Sequence, residues 1–225
     1  MRQNSGDSRI INLVKARMKN AMRTFKNNFS RDLYSDGTLP NQITGLQALV
    51  ADNGQGTIGG INSATWEFWR NKVQDANAPI GGGTAEKISK DNIEKYMLSL
   101  WIELTRGSDQ PDMIVMSNEF YEFFEQSQLS IKRYTDETKA NGGFVSLKYK
   151  SCDVFFDGAS GMPPKHAYFL NTDYLKLVVH KDANLKTLEE VRPYNQDAAV
   201  IPILWQGNLT CSNRQLQGVM IDTTP

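Results

Sequence analysis

Cysteine and histidine are scarce. Cys152, Cys211, His166 and His180 stand singly in a chain of 225 residues. A structural zinc site needs such ligands clustered at short spacings, so this pattern supplies none. Two cysteines also make no disulfide framework, and they suit a reducing compartment. An excess of one charge is missing too: 25 basic residues balance 25 acidic ones. That disfavours a globally basic nucleic-acid binder but leaves room for a local basic patch. A spanning helix needs about 20 consecutive apolar residues, and no run approaches that length. The N-terminal stretch lacks the apolar core of a signal peptide. No internal repeat or low-complexity tract is present. What remains is a folding chain, 40% hydrophobic and 22% charged, long enough for one large domain or two small ones.

The pattern predicts one long amphipathic helix over residues 9–34. Ile11, Val14, Met18, Met22, Phe25, Phe29 and Leu33 recur at steps of three and four and so share a face. Asp36-Gly37 and Pro40 stop it. Its charge is one-sided. Arg9, Lys15, Arg17, Lys19, Arg23, Lys26 and Arg31 contribute +7 with no acid among them, so the rest of this neutral chain carries −7. The stripe reads either as a solvated polar face or as a basic surface that meets an acidic one, on a neighbouring subunit or on nucleic acid.

Residues 41–85 are rich in Gly, Asn, Thr and Ala, and Ile80-Gly81-Gly82-Gly83-Thr84 reads as a linker or turn. A second helix is expected over 89–106, with Ile93, Tyr96, Met97, Leu100, Trp101 and Leu104 on its buried face and Ser89 as its cap. Met113–Met116 reads as a short buried strand. Ser117 is expected to cap a third helix carrying Phe120, Tyr121, Phe123 and Phe124. The remainder is mostly strand: 145–149, 152–156, 167–170, 174–180, 198–205 with Pro202 marking an edge or bulge, and 216–221. Helices first and strands later argue an α+β class.

Chemical motifs are few. Gly54-Gln55-Gly56-Thr57-Ile58-Gly59 fits G-x-G-x-x-G. In a dinucleotide fold that loop must leave a strand and open a helix; otherwise it is a glycine-rich loop. No phosphate-binding Gly-Lys-Ser/Thr and no Gly-x-Ser-x-Gly elbow occurs. Cys152 reads as a small buried hydrophobe, His166 as an exposed turn residue after Pro163-Pro164-Lys165, and His180 as a polar strand end. No carboxylate pair is singled out, and no cofactor or metal is expected.

Residues 58–71 are the most informative. Trp66, Phe68 and Trp69 place three large aromatics in four positions, followed by Arg70. If the segment is extended, Trp66 and Phe68 share a face; if helical, Trp66 and Trp69 pair. The cluster is either a core anchor or an intersubunit anchor, since Trp and Arg dominate interface hot spots.

Gly59-Gly60-Ile61-Asn62, Thr65-Trp66 and Phe68-Trp69-Arg70-Asn71 resemble a signature of the major capsid proteins of tailed phages and prophages. Other segments keep the same order. Tyr34-Ser35-Asp36-Gly37 ends the long helix and Ile43–Leu49 precedes the glycine loop. Pro111–Ser117, Phe169–Leu175, Asn208-Leu209 and Arg214–Val219 follow. The resemblance runs over most of residues 9–221. It implies the Hong Kong-97-type capsid fold, an α+β architecture with a long spine helix, mixed and antiparallel sheets and flanking helices. It also implies a division into a peripheral-type domain (1–85, with the spine at 9–34), an axial-type domain (86–182) and a return to the peripheral type (183–225). The function implied is structural, without catalysis. Copies would self-assemble into hexamers and pentamers that enclose a DNA genome, with scaffolding and portal proteins as further partners. The place would be the virion capsid, after assembly in the bacterial cytoplasm. Lys15, Lys19, Arg23, Lys26, Trp66, Trp69 and Arg70 are the expected subunit or DNA contacts. Members of the family carry an N-terminal arm and an extended loop before the spine, whereas this chain starts almost at the helix, which reads as a truncated or shortened form. The rival readings are an encapsulin-like nanocompartment shell and, in another class, a nucleotide-binding enzyme using Gly54 to Gly60.

Overall fold

The computed structural model describes residues 7–132, 147–158, 161–192, 194–195 and 200–225, without the side chains of 7–14 and 129–132. In chain order the elements are α1 (Asp7–Asp32), α2 (Leu46–Leu49), β1 (Thr57–Ile58), β2 (Ile61–Asn62), β3 (Lys72–Asp75), α3 (Ile93–Leu104), β4 (Met113–Met116), α4 (Asn118–Lys132), β5 (Leu147–Tyr149), β6 (Cys152–Phe156), β7 (His166–Leu170), β8 (Leu175–Val179), β9 (Lys186–Thr187), β10 (Ile203–Leu204), β11 (Gly207–Cys211) and β12 (Gly218–Ile221). Short 3-10 turns lie at Glu67–Trp69, Thr172–Tyr174 and Lys181–Ala183.

A six-stranded mixed sheet in the order β3-β12-β7-β4-β6-β5 organises the chain. β12 runs parallel to β3 and β4 parallel to β6, while the other neighbours are antiparallel. Its strands come from residues 72–75, 113–116, 147–170 and 218–221, so distant parts of the chain share one sheet. Alternation along each strand sends successive side chains to opposite faces. Ile114, Met116, Ala167, Phe169 and Met220 enter one core, and Val115, Tyr168, Leu170, Val219 and Ile221 enter another. Both faces of the central strands are therefore dry, which is why Met113–Met116 reads as a continuous apolar run rather than an alternating one.

Helices α3 and α4 cover the first face. Ile93, Tyr96, Met97, Leu100 and Leu104 of α3 are all buried there, with Phe120 and Phe124 of α4. Trp101 is only half-buried, and Lys150 Nζ sits 3.8 Å from its ring centroid. The caps differ from expectation. Asn92, not Ser89, is the N-cap of α3; its Oδ1 accepts from Ser89 N–H at 2.7 Å while its Nδ2 donates to Lys87 C=O. Ser117 Oγ is buried without a partner, so it does not cap α4. Val145 and the Asn141-Gly142-Gly143 turn lie outside the described residues.

The second face receives the end of α1 and the segment that follows it. α1 has 26 residues, roughly 39 Å at 1.5 Å per residue. It stops at Asp32, two residues before the expected end, and the chain is then clamped. Leu46 N–H donates to Leu33 C=O at 2.7 Å, Ser35 Oγ–H to Ile43 C=O at 2.7 Å, and Tyr34 O–H to Asp157 Oδ2 at 2.7 Å. Backbone comes so close at this junction that side chains are excluded. A methyl on Gly45 would lie 2.4 Å from Ser35 N, and one on Gly161 would lie 2.5 Å from Arg31 O. The spine is thereby fixed to the sheet at its C-terminal end.

The strand expected over 174–180 pairs with 207–211, a strand that the sequence reading does not anticipate, in a long antiparallel ribbon that also takes in part of 198–205. β8 pairs with β11 and β9 with β10, Leu188 N–H donates to Pro202 C=O, and Val191 bridges Val200. The expected strand at 198–205 shortens to Ile203–Leu204 plus that bridge. Residues 198 and 199 lie outside the described residues. β12 is a central strand with all four residues buried.

Candidate assembly surfaces

The spine carries two stripes. Met18, Met22, Phe25 and Phe29 share one face, as the spacing predicts. Their cover within this chain is partial, and Met18 is 36% exposed. Trp205 covers the C-terminal half, its ring 5.9 Å from Phe25 and 5.0 Å from Phe29 in an edge contact. Lys15, Lys19, Arg23 and Lys26 fall at successive steps of four, four and three, so they form a single exposed row. Among the described residues no carboxylate lies within ion-pair distance of them or of Arg17, whereas Arg31 reaches Asp32 at 3.9 Å. Like charges at such spacings cost a few tenths of a kcal/mol per pair in an isolated helix. A facing anionic surface removes that cost.

Trp66, Phe68 and Trp69 form a knob on the 3-10 turn. Trp66 and Phe68 are 55% and 56% exposed, so neither anchors the core. The turn geometry pairs Trp66 with Phe68 at 6.0 Å and Phe68 with Trp69 at 6.4 Å. This is neither the helical pairing nor the simple extended one. Trp69 alone is half-buried, and its Nε1–H donates to Ile58 C=O at 3.2 Å. Arg70 is occupied in holding the loop. Its guanidinium donates to Ser63 C=O at 2.9 Å, to Ala64 C=O at 3.3 Å and to Glu67 Oε1 at 3.2 Å. An open groove of about 580 Å³ runs beside the knob, lined in part by Phe68, Arg70, Lys72 and Gln215.

The glycine loop has no phosphate-binding geometry. β1 and β2 form a tight hairpin around Gly59 and Gly60, both with positive φ, and no helix opens at the third glycine. The carbonyls of Gln55 and Gly56 are instead turned inward onto Arg214. This residue is fully buried. It donates to Leu49 C=O at 2.7 Å, Asn71 Oδ1 at 3.0 Å, Gln55 C=O at 3.4 Å and Gly56 C=O at 3.5 Å. Burial lowers its proton affinity, and the hydrogen-bond acceptors that hold the cation are neutral oxygens. The sequence names Arg214 only as part of the Arg214–Val219 segment of the resemblance and gives it no role.

The rare residues are tied into the fold. Cys152 is buried and donates its thiol proton to Pro111 C=O, and burial pushes its pKa up to about 11. Its thiolate is therefore scarce at neutral pH. His166 does not lie exposed in a turn. It begins β7 with a side chain 16% exposed, held between Pro164 C=O at 2.7 Å and Asp52 Oδ2 at 3.1 Å. His180 caps the turn at Lys181–Ala183, its Nδ1 accepting from Asp182 N–H. Among the described residues no cluster of three metal-ligating side chains occurs, and no helix is long and apolar enough to cross a membrane.

The ribbon from β8 to β11 is the surface that sequence reading overlooks. Eight of the sixteen large hydrophobic residues left exposed among the described residues belong to it, although it spans only about a sixth of the chain. Its root is well tied: Leu175, Leu209 and Cys211 pack against the second core, and Asn208 exchanges hydrogen bonds with Thr44. The usable signal was two apolar runs, 175–179 and 200–205, separated by a polar stretch.

No family model matches the sequence, and no curated protein matches it. A solved structure does. A chain of the cyanophage A-1(L) capsid asymmetric unit superposes with a TM-score of 0.65 at 19% identity, covering 94% of this chain and 70% of that one. The mixed helices and sheets described above are thus arranged as an α+β, phage-capsid-like fold.

Proposed function

We propose that this chain is a structural subunit of a phage or prophage head shell, of the Hong Kong-97 type, that assembles with copies of itself around a DNA genome. The observation that carries the proposal is the capsid-like arrangement over 94% of the chain. The surfaces support it: a spine fixed at one end with a bare basic row, and an exposed aromatic knob held rigid by Arg70. In this reading the regions near 1–85 and 183–225 serve as the peripheral-type part and 86–182 as the axial-type part. The protein works by association. Shape, apolar area and charge direct copies into rings, and rings into a shell. The basic row of the spine is answered by carboxylates of a neighbouring copy, since the residues outside 9–31 carry an excess of −7.

Electron microscopy of the purified chain tests this, alone and with Lys19, Arg23 and Lys26 changed to Glu. Capsomers or shells are expected from the native sequence and are lost or reduced in the triple variant. Particles of unchanged yield and form from the triple variant would remove the basic row from the account. A chain that never forms particles and is stabilised against heat by NAD or ATP would replace the shell reading with a nucleotide-binding one.

A further inference from the structure

We propose that the ribbon described over residues 175–192 and 200–211 is a docking arm, and that its outer half seats on a second copy of this chain. The proposal rests on the shell-subunit reading and narrows it to one element.

The first observation is that both faces of the ribbon are bare. Neighbouring residues of a strand point to opposite faces, yet Leu177 and Val178 are 45% and 56% exposed. Farther out, Leu188, Val191, Val200, Ile201 and Leu204 are 39–54% exposed. A two-stranded ribbon is marginal in water unless something covers an apolar face. Here the described residues cover only the root, through the second core and through Trp205 on Phe25 and Phe29.

The second observation is size. Seven large apolar side chains, 39–56% exposed, sit on this one ribbon, more clustered apolar surface than a monomer usually leaves uncovered.

The third observation selects the occupant. Through Trp205 the ribbon adjoins Phe25 and Phe29 of the spine, whose apolar face runs on to Met18 and Met22 beside the row Lys15, Lys19, Arg23 and Lys26. A partner for this composite surface must be apolar at its centre and acidic at its rim. A second copy meets the charge requirement, because seven excess negative charges lie outside residues 9–31. Two such surfaces cannot meet face to face, since cation would oppose cation. The arm of one copy therefore lies on a different surface of the next. That is a heterologous contact, and heterologous contacts build rings where the rotation between copies closes.

Sedimentation velocity on the full chain over a wide concentration range tests the proposal, with the native sequence compared with a triple variant, Leu188→Ser, Val191→Ser and Ile201→Ser. These side chains are exposed in the single chain, so the variant keeps the native melting temperature. Its self-association is expected to weaken at least tenfold. Association equal to that of the native chain would overturn the arm's role while leaving the shell reading intact. A native chain that stays monomeric at every concentration would overturn both. Flotation of the native chain with phosphatidylglycerol vesicles, without self-association, would assign the surface to a lipid instead. If the variant fails to fold, hydrogen exchange on the native chain decides. Amides of 186–191 and 200–204 gain protection as concentration rises, and no gain there overturns the proposal.

Discussion

The central sheet and the arm use the same kinds of residue to opposite effect. In the sheet, Ile114, Val115, Met116, Val219 and Met220 are shielded on both faces by other parts of the chain. In the arm, Leu177, Val178, Val191 and Leu204 are about half exposed, at 45–56%. Chain composition does not separate the two regions; supply of cover does. The sheet has α3 and α4 on one side and the end of the spine on the other, whereas the arm has the core only at its root. A region that gives up apolar surface to solvent gains nothing from folding that way in isolation. The proposed docking of the arm on a second copy would supply the cover that the sheet has from its own chain.

The sharpest way to break this comparison is to make one substitution in both regions. Leu100→Ala empties a fully enclosed site in the first core and is expected to cost about 3 kcal/mol, visible as a clear drop in melting temperature. Leu188→Ala in the arm is expected to change the stability of the single chain by less than about 0.5 kcal/mol. Equal losses would mean that the arm is packed within its own chain.

Arg214→Met should come next in size. It leaves the carbonyls of Leu49, Gln55 and Gly56 and the Asn71 amide oxygen without their buried donor. The expected cost is about 2–3 kcal/mol, with the loop at 49–56 losing hydrogen-exchange protection before the sheet does. Uniform loss across the sheet would show that Arg214 supports more than this loop. Gly45→Ala tests the clamp on the spine. The added methyl meets Ser35 backbone at 2.4 Å, so the junction must open, at about 2 kcal/mol. Near-neutral behaviour would show that the spine is held elsewhere.

The smallest effect is one of pH. Burial alone would lower the pKa of His166. The hydrogen bonds to Asp52 and Pro164, and the Asp52 charge, outweigh it and raise the pKa above the usual value near 6.5. Stability from this group is complete below about pH 6.5 and is lost as pH rises through the raised folded-state value. The melting temperature should thus fall slightly on the alkaline side, and His166→Gln should flatten that slope. An unchanged slope in the variant would assign it to another group.

What could be read from sequence divides along physical lines. The faces of α3 were legible because spacings of three and four among Ile93, Tyr96, Met97, Leu100 and Leu104 leave one helical solution. Met113–Met116 was legible as a buried strand because no polar residue interrupts it. Strand partners were not: nothing local says that Gly218–Ile221 lies between β3 and β7, since pairing is settled by distant segments. Arg214 was hidden because its compensation comes from backbone carbonyls, which every sequence has. The spine teaches the subtler lesson. Its apolar face was placed correctly, yet Met18 is 36% exposed. A periodic pattern shows that a face needs cover, and it does not say which chain provides it. For the same reason the aromatic knob kept two readings in sequence, and the exposure of Trp66 and Phe68 removed the core-anchor reading for both.

Chemical cross-linking of a mixture of heavy- and light-isotope copies tests self-association most directly. The spine offers Lys15, Lys19 and Lys26, and the arm offers Lys176, Lys181 and Lys186. Mixed-isotope links should be abundant and should concentrate on these lysines. Links confined to pairs of the same isotope, at concentrations where the protein is well folded, would contradict the claim that copies of this chain bind one another.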